Sequence, residues 1–205
     1  MPRPRLFSTD EFLDAAADLV IEDGREALTV RRLSERTGAS NGSIYHAFGS
    51  IESLLGRSWL RSARQFLDLQ RDAVTAAAPD GRRAVLAAAD APAVFAGRDA
   101  RAARFLASLR RDGLLVPGLD PATAEELRAL DRDLVRLLRD LARLTWGRAD
   151  AAAVDAVRVC VVTLPGAMLL PGIRAGRFDR LPLARRRLAA AAGAVLDLGV
   201  PGGRR

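Results

Sequence analysis

VRRLSERTGASNGSIYHAF, residues 30–48, decides how this chain folds. Two short runs at helical spacing, 30–37 and 41–48, flank Gly38-Ala39-Ser40, which is long enough only for a tight turn. Thr29 stands where it can cap the first run and Ser40 the second, each offering a side-chain oxygen to a first-turn N–H that has no helical partner. Val30, Leu33, Ala39 and Ile44 are the apolar positions that can hold the two helices at a fixed angle. Small Ser34 lets them approach, and Gly38 enters the turn. The pattern is a helix-turn-helix, whose second helix is shaped to enter a major groove with its N-terminal side chains at base edges.

Upstream, Ser8-Thr-Asp-Glu11 reads as a capping box, with Phe7 and Phe12 spaced as a hydrophobic staple. Phe12, Leu13, Ala16, Leu19 and Val20 then recur at helical spacing until Asp23-Gly24 stops the run. Downstream, Phe48-Gly49-Ser50 breaks the chain, and Ser50 caps a longer helix from Ile51. Six longer helices follow at about 51–78, 81–96, 98–112, 122–146, 150–175 and 182–198. In the fourth of these, Leu127, Leu130, Leu134, Leu137, Leu141 and Leu144 alternate spacings of three and four, the signature of a bundle helix. Pro165-Gly166 is expected to kink the fifth, because proline removes one hydrogen bond and crowds the carbonyl four residues back. The expected fold is all-α: a three-helix head over residues 1–50 and a larger helical bundle over 51–205.

Composition agrees. The chain has 205 residues, 49% apolar but only 5% aromatic, which favours packed helices over strands. A single cysteine, Cys160, excludes an internal disulfide and a thiolate metal cage, and a reducing cytoplasm is the expected location. The longest apolar run, Val159 to Leu170, contains a Thr, a Pro and a Gly and is shorter than the roughly 20 residues of a bilayer span, so no membrane segment is expected. The formal charge of +7 is unevenly placed: residues 1–50 carry six arginines against eight acids, a net of −2, and the remainder carries +9. Every cation is an arginine, which GC-rich codon usage explains. No Ser/His/Asp set, Glu-x-x-His pair or phosphate-cradling glycine loop is present, so neither an enzyme nor a cofactor is expected.

Over residues 7–60 the sequence resembles the TetR family of transcriptional regulators. Its landmarks run in order: a helix like Phe12-Leu-Asp-Ala-Ala-Ala-Asp-Leu19, a glycine at Gly24, Thr29-Val30, and a reading helix ending in Tyr45-His46-Ala47-Phe48. The resemblance implies a homodimer that binds a palindromic double-stranded operator and is released by a small-molecule effector. It places Asn41, Gly42 and Ser43 at the bases, where an Asn can pair bidentately with adenine. Thr29, Ser40, Tyr45 and His46 fall on the DNA backbone, and Arg3 and Arg5 form a basic arm ahead of the first helix. Ile51 stands where the family commonly has a phosphate-binding lysine, although the amides after Ser50 still offer a helix N-terminus. With the acidic head, this motivates an alternative: a helical ligand-binding or interaction protein whose DNA binding is weak or lost.

Beyond residue 60 the chain resembles the family only in size and helical layout. An effector pocket is expected among the middle helices, lined by Trp59, Phe66, Phe95, Phe105, Trp146, Cys160, Thr163 and Met168, with Arg158 either anchoring an anion or paired with Asp155. Cys160 reads first as packing. In the family the last two long helices dimerise. Here Leu181, Ala184, Leu188, Ala191, Val195 and Leu198 form the expected seam, with Ala189 to Ala192 permitting close approach.

Overall fold

The structure, a computed structural model, describes residues 8–110 and 113–200. Among them every regular element is helical. The head comprises α1 (Thr9–Asp23), α2 (Val30–Thr37) and α3 (Asn41–Phe48). The body comprises α4 (Ile51–Ala77), α5 (Gly81–Arg98), α6 (Ala100–Ser108), α7 (Pro121–Trp146), α8 (Ala151–Arg158), α9 (Leu164–Met168), α10 (Leu170–Arg174) and α11 (Leu181–Leu198).

The caps read from the sequence form. The Ser8 side chain accepts from the Glu11 N–H at 3.2 Å, and Glu11 accepts from the Ser8 N–H at 2.8 Å. Thr29 accepts from Arg32 N–H, Ser40 from Ser43 N–H and Ser50 from Ser53 N–H. Gly38 ends α2 at φ 78°, a left-handed conformation that favours glycine. Phe7 of the expected staple lies outside the described residues.

Head and body share one core. Phe12, Leu19, Leu33, Ile44 and Phe48 pack in a single apolar cluster with Leu54, Leu55 and Leu60 of α4, Phe105 of α6 and Leu127 of α7. Phe12 and Phe48 meet edge to face, ring centroids 5.7 Å apart. The Ser58 hydroxyl donates to the Leu13 carbonyl at 2.8 Å, with both groups buried. Charge reinforces the joint on its wet side. Arg101, from α6, donates to the Asp18 carboxylate, the Asp14 carboxylate and the Asp14 carbonyl, and Arg61 of α4 pairs with Asp10 and Asp14. Burial pushes the Asp14 pKa upward, but hydrogen bonds and charge from Arg101 and Arg61 prevail and hold it below its ordinary value.

Two prolines shape the body. Pro92 lies inside α5. Having no N–H, it leaves the carbonyl four residues back, that of Ala88, without its helical donor. Gln70 of α4 supplies one, its Nε2 donating to that carbonyl at 2.9 Å. The second proline, Pro165, was expected to kink one long helix. Instead the chain widens into a π-turn over Val159–Thr163 immediately before it, and the helix breaks again at Leu169 ahead of Pro171. The wider turn, in which Leu164 N–H donates to Val159 O, relieves the crowding that a proline imposes on the preceding turn.

The stretch Ala151–Met168 is long and apolar enough, by length and composition, to count as a candidate membrane span, with mean hydropathy 1.5 and 28% of it buried. Counting only the uninterrupted run from Val159 misses it, because Asp155 and Arg158 divide the alanines of α8 from that run. This stretch packs on α5, α7 and α11, and its other side faces out.

Candidate nucleic-acid interface and effector cavity

In α3 the spacing of Ile44 and Phe48 sends those two side chains inward, 1% and 2% exposed, and this orients everything else on the helix. Asn41, Gly42, Ser43, Tyr45, His46 and Ala47 all face outward, as do Ser40 before them and Thr29 at the start of α2. Among the described residues, no neighbouring element covers the start of α3. Tyr45 is 54% exposed, so about half of its surface is open to the surroundings. The Thr29 and Ser40 oxygens accept from backbone N–H groups within their caps. The Thr29 hydroxyl hydrogen can therefore donate outward, and of Ser40 and Ser43, whose oxygens lie 2.8 Å apart, one keeps a free O–H.

The face is polar rather than cationic. Arg32 pairs with Asp23 at 2.5 Å, Arg36 with Glu22 at 2.5 Å, and Arg31 more loosely with Glu35 at 3.8 Å. Arg32 and Arg36 brace α2 against α1, whereas the Arg31 pair lies within α2. Ile51 is half-buried against the head core. The first turn of α4 is less open to a phosphate than a bare helix end, because the Ser50 hydroxyl donates to Gly118 O at 2.8 Å and the Glu52 carboxylate lies beside that glycine. Arg3 and Arg5 lie outside the described residues.

In the body, α4, α5, α6, α7 and the segment from Val161 to Ile173 enclose a cavity of about 250 Å³. Trp59, Phe66 and Phe95 line it, as the sequence suggested, and Phe66 meets Phe95 edge to face at 5.8 Å. The other expected residues lie elsewhere. Phe105 is wholly buried in the core shared with the head, and Trp146 packs in a second cluster near the C-terminus. Met168 packs in a third cluster, Thr163 is exposed, and Arg158 is exposed and donates to Asp155 at 2.6 Å. Cys160 is fully buried behind the wall; burial pushes its thiol up to about 11, and it donates to Ala192 O at 3.7 Å.

Sequence reasoning missed Gln70, Asp131, Leu130, Leu134 and Pro92 as lining residues. Gln70 was within reach, since Trp59, Ala63, Phe66 and Gln70 follow spacings of four, three and four along one stripe of α4.

The expected dimer seam is corrected in part. Leu181 and Leu188 are 8% and 1% exposed and belong to the protomer's own core. Ala184, Ala191 and Val195 are half-buried, and Leu198 is 87% exposed. Of the leucines on α11, Leu181, Leu188 and Leu196 turn into the protomer core, whereas Leu183 and Leu198 stay outside. What remains outside is a flatter face of Leu183, Arg187, Ala190, Ala194 and Leu198.

Comparison with known proteins agrees with this geometry. Residues 12–57 match the family described as bacterial regulatory proteins, tetR family. Over 47 residues the chain is 49% identical to the HTH-type transcriptional repressor AcnR of Corynebacterium glutamicum, a match covering 23% of this chain and 25% of that protein. The chain thus spans about a quarter of the length of that curated relative. Across nearly the whole chain the fold is that of a transcriptional regulator from Rhodococcus sp. Rha1, with TM-score 0.69 at 18% identity, covering 95% of this chain and 98% of that one. It is also that of the regulator FadR of Bacillus subtilis, solved in complex with stearoyl-CoA, with TM-score 0.64 at 15% identity and coverage of 95% and 99%.

Proposed function

We propose that this chain, whose residues 12–57 match the tetR family of bacterial regulatory proteins, is a ligand-responsive repressor that binds a palindromic operator as a homodimer and is not an enzyme. The observation that carries this reading is the uncovered start of α3, with Asn41, Gly42 and Ser43 turned outward by the burial of Ile44 and Phe48. Asn41 reads an adenine edge, Gly42 admits a thymine methyl or the DNA backbone, and Ser43 tolerates either partner. Tyr45, His46, Thr29 and Ser40 donate to phosphates and fix register without reading sequence.

One eight-residue reading helix spans only a few base pairs, so a useful operator needs two, roughly 34–36 Å apart. Two-fold symmetry supplies the second. The half-covered apolar side of Ala151–Met168, with Val162 39% exposed, and the outer face of α11 support a four-helix interface between copies. The location that follows from this role is the cytoplasm, where the operator is.

The cavity supports effector control through packing. α4 runs from the core shared with the head to the cavity wall, and α6 lines the cavity with Ala103, Leu106 and Ala107 while Arg101 grips α1. A ligand that favours a different spacing of these helices shifts the two heads away from the operator geometry, with the two sites coupled by that difference in affinity.

A mobility-shift titration of the full chain on its own upstream intergenic DNA tests the reading. The expected result is a discrete complex containing two chains. No shift at low salt, or a complex with one chain, overturns it.

A further inference from the structure

We infer that the cavity takes an uncharged, mainly hydrocarbon molecule carrying a hydroxyl group, held by Trp59 and Gln70. This rests on reading the cavity as the effector site. Two walls of the cavity carry polar atoms with no hydrogen-bond partner, the Trp59 indole Nε1 and the Gln70 side-chain Oε1, and both atoms are buried. Gln70 is 2% exposed. Its orientation is fixed by covalent structure elsewhere: Pro92 deprives the Ala88 carbonyl of its helical donor, and that carbonyl accepts only from the Gln70 amide nitrogen, at 2.9 Å. The amide oxygen is therefore left for another donor.

A buried donor and a buried acceptor without partners each cost stability, and a ligand that satisfies both recovers it on binding. A hydroxyl group has both capacities these atoms need, since it can accept from an indole N–H and donate to an amide oxygen. The rest of the lining, Phe66, Phe95, Leu106 and Leu134 among it, is apolar and offers a hydrocarbon body its favourable burial.

Charge selects against an acid. The chain holds 32 cationic residues, yet among the described residues none lines the cavity, whereas Asp131 does. A carboxylate ligand would lose its hydration facing a carbonyl-type oxygen, with no cation among the described lining residues to receive it. A neutral ligand has neither cost.

Three probes with one hydrocarbon chain isolate the head group: 1-octanol, octanoate and octylammonium, titrated calorimetrically into the full chain. Octanol is expected to bind at least about tenfold more tightly than either ion. Trp59→Phe removes a donor that has no partner in the free protein. It should therefore weaken octanol several-fold without lowering the melting temperature of the free protein by more than a few degrees. Gln70→Leu should weaken octanol likewise, and if that variant proves unstable the Trp59 variant decides alone. Equal or tighter binding of octanoate or octylammonium overturns the inference, as does failure of octanol to bind or an unchanged octanol affinity in Trp59→Phe.

Adding operator DNA separates this from the regulatory reading. Octanol bound with DNA retained supports the ligand class and counts against effector release. Octanoate bound more tightly, with DNA released, does the reverse.

Discussion

The two ends of α4 sit in opposite kinds of packing. At the head end, Leu54, Leu55 and Leu60 are at most 1% exposed and Ser58 is hydrogen-bonded into α1, so the side chains are fixed by close neighbours. At the cavity end, Phe66 and Gln70 border open volume, as does Trp59 nearer the head, and two of their polar atoms lack partners. A rigid joint at one end and a loose wall at the other is the arrangement expected of an element that senses at one site and moves another. The lesson is that one helix can hold its reading surface rigidly and still respond to a ligand, because close packing and open volume meet different side chains of it.

The largest expected effect tests this contrast by making one kind of change in the head joint, on α4, and in the cavity wall, on α7. Leu54→Ala, in the shared core, should cost about 2–5 kcal/mol and reduce DNA binding along with stability. Leu134→Ala, at the half-buried cavity rim, should cost about 1 kcal/mol or less, because the neighbouring volume is already open. Urea denaturation of both variants measures the difference. Equal losses would mean that the cavity wall is as tightly packed as the joint.

A smaller effect concerns the electrostatic side of the joint. The folded-state pKa of Asp14 lies below its unfolded value, so its pairing with Arg101 and Arg61 stabilises the head fully above the ordinary carboxylate pKa of about 3.9 and progressively less as pH falls through the lowered value. Asp14→Asn should therefore lower the urea midpoint at pH 7 and change it little near pH 2. A loss that persists undiminished in acid would point to packing instead. Both partners are partly exposed, so the effect is modest.

Ile51→Lys sharpens the comparison at the head end of α4 by restoring a cation beside the DNA. The slope of log affinity against log salt should steepen by about 0.9, with the Ile51 contact to the head core exchanged for one to phosphate. An unchanged slope would show that Gly118 and Glu52 already close this helix start to DNA. The smallest effect is at Cys160, behind the cavity wall. Its buried thiol, pushed up to about 11, should resist iodoacetamide at pH 8 in the folded protein and react after unfolding.

The head was legible in the sequence because its signals are local. Caps at Ser8, Thr29, Ser40 and Ser50 and the stop at Gly38 each depend on residues within a few positions, and the outward face of α3 follows from Ile44 and Phe48 alone. The cavity was legible only in part. Helical periodicity says that Phe66, Phe95 and Phe105 all point inward, but not that the first two meet open space and the third fills the core beneath the head. That distinction depends on how five separated elements pack, which no local spacing encodes. Two residues of the expected dimer seam, Leu181 and Leu188, are lost to it for a related reason: periodicity alone does not say that the protomer's own core claims them.

Selection of binding sites from a randomised duplex library, using the full chain and Asn41→Ala side by side, tests the central claim most directly. The account predicts an inverted repeat whose half-site centres lie one helical turn apart, with Asn41→Ala relaxing preference by about 1–3 kcal/mol at one step in each half and Tyr45→Phe weakening all sequences alike. Enriched sites without two-fold symmetry, or an Asn41→Ala profile identical to that of the native chain, would contradict it.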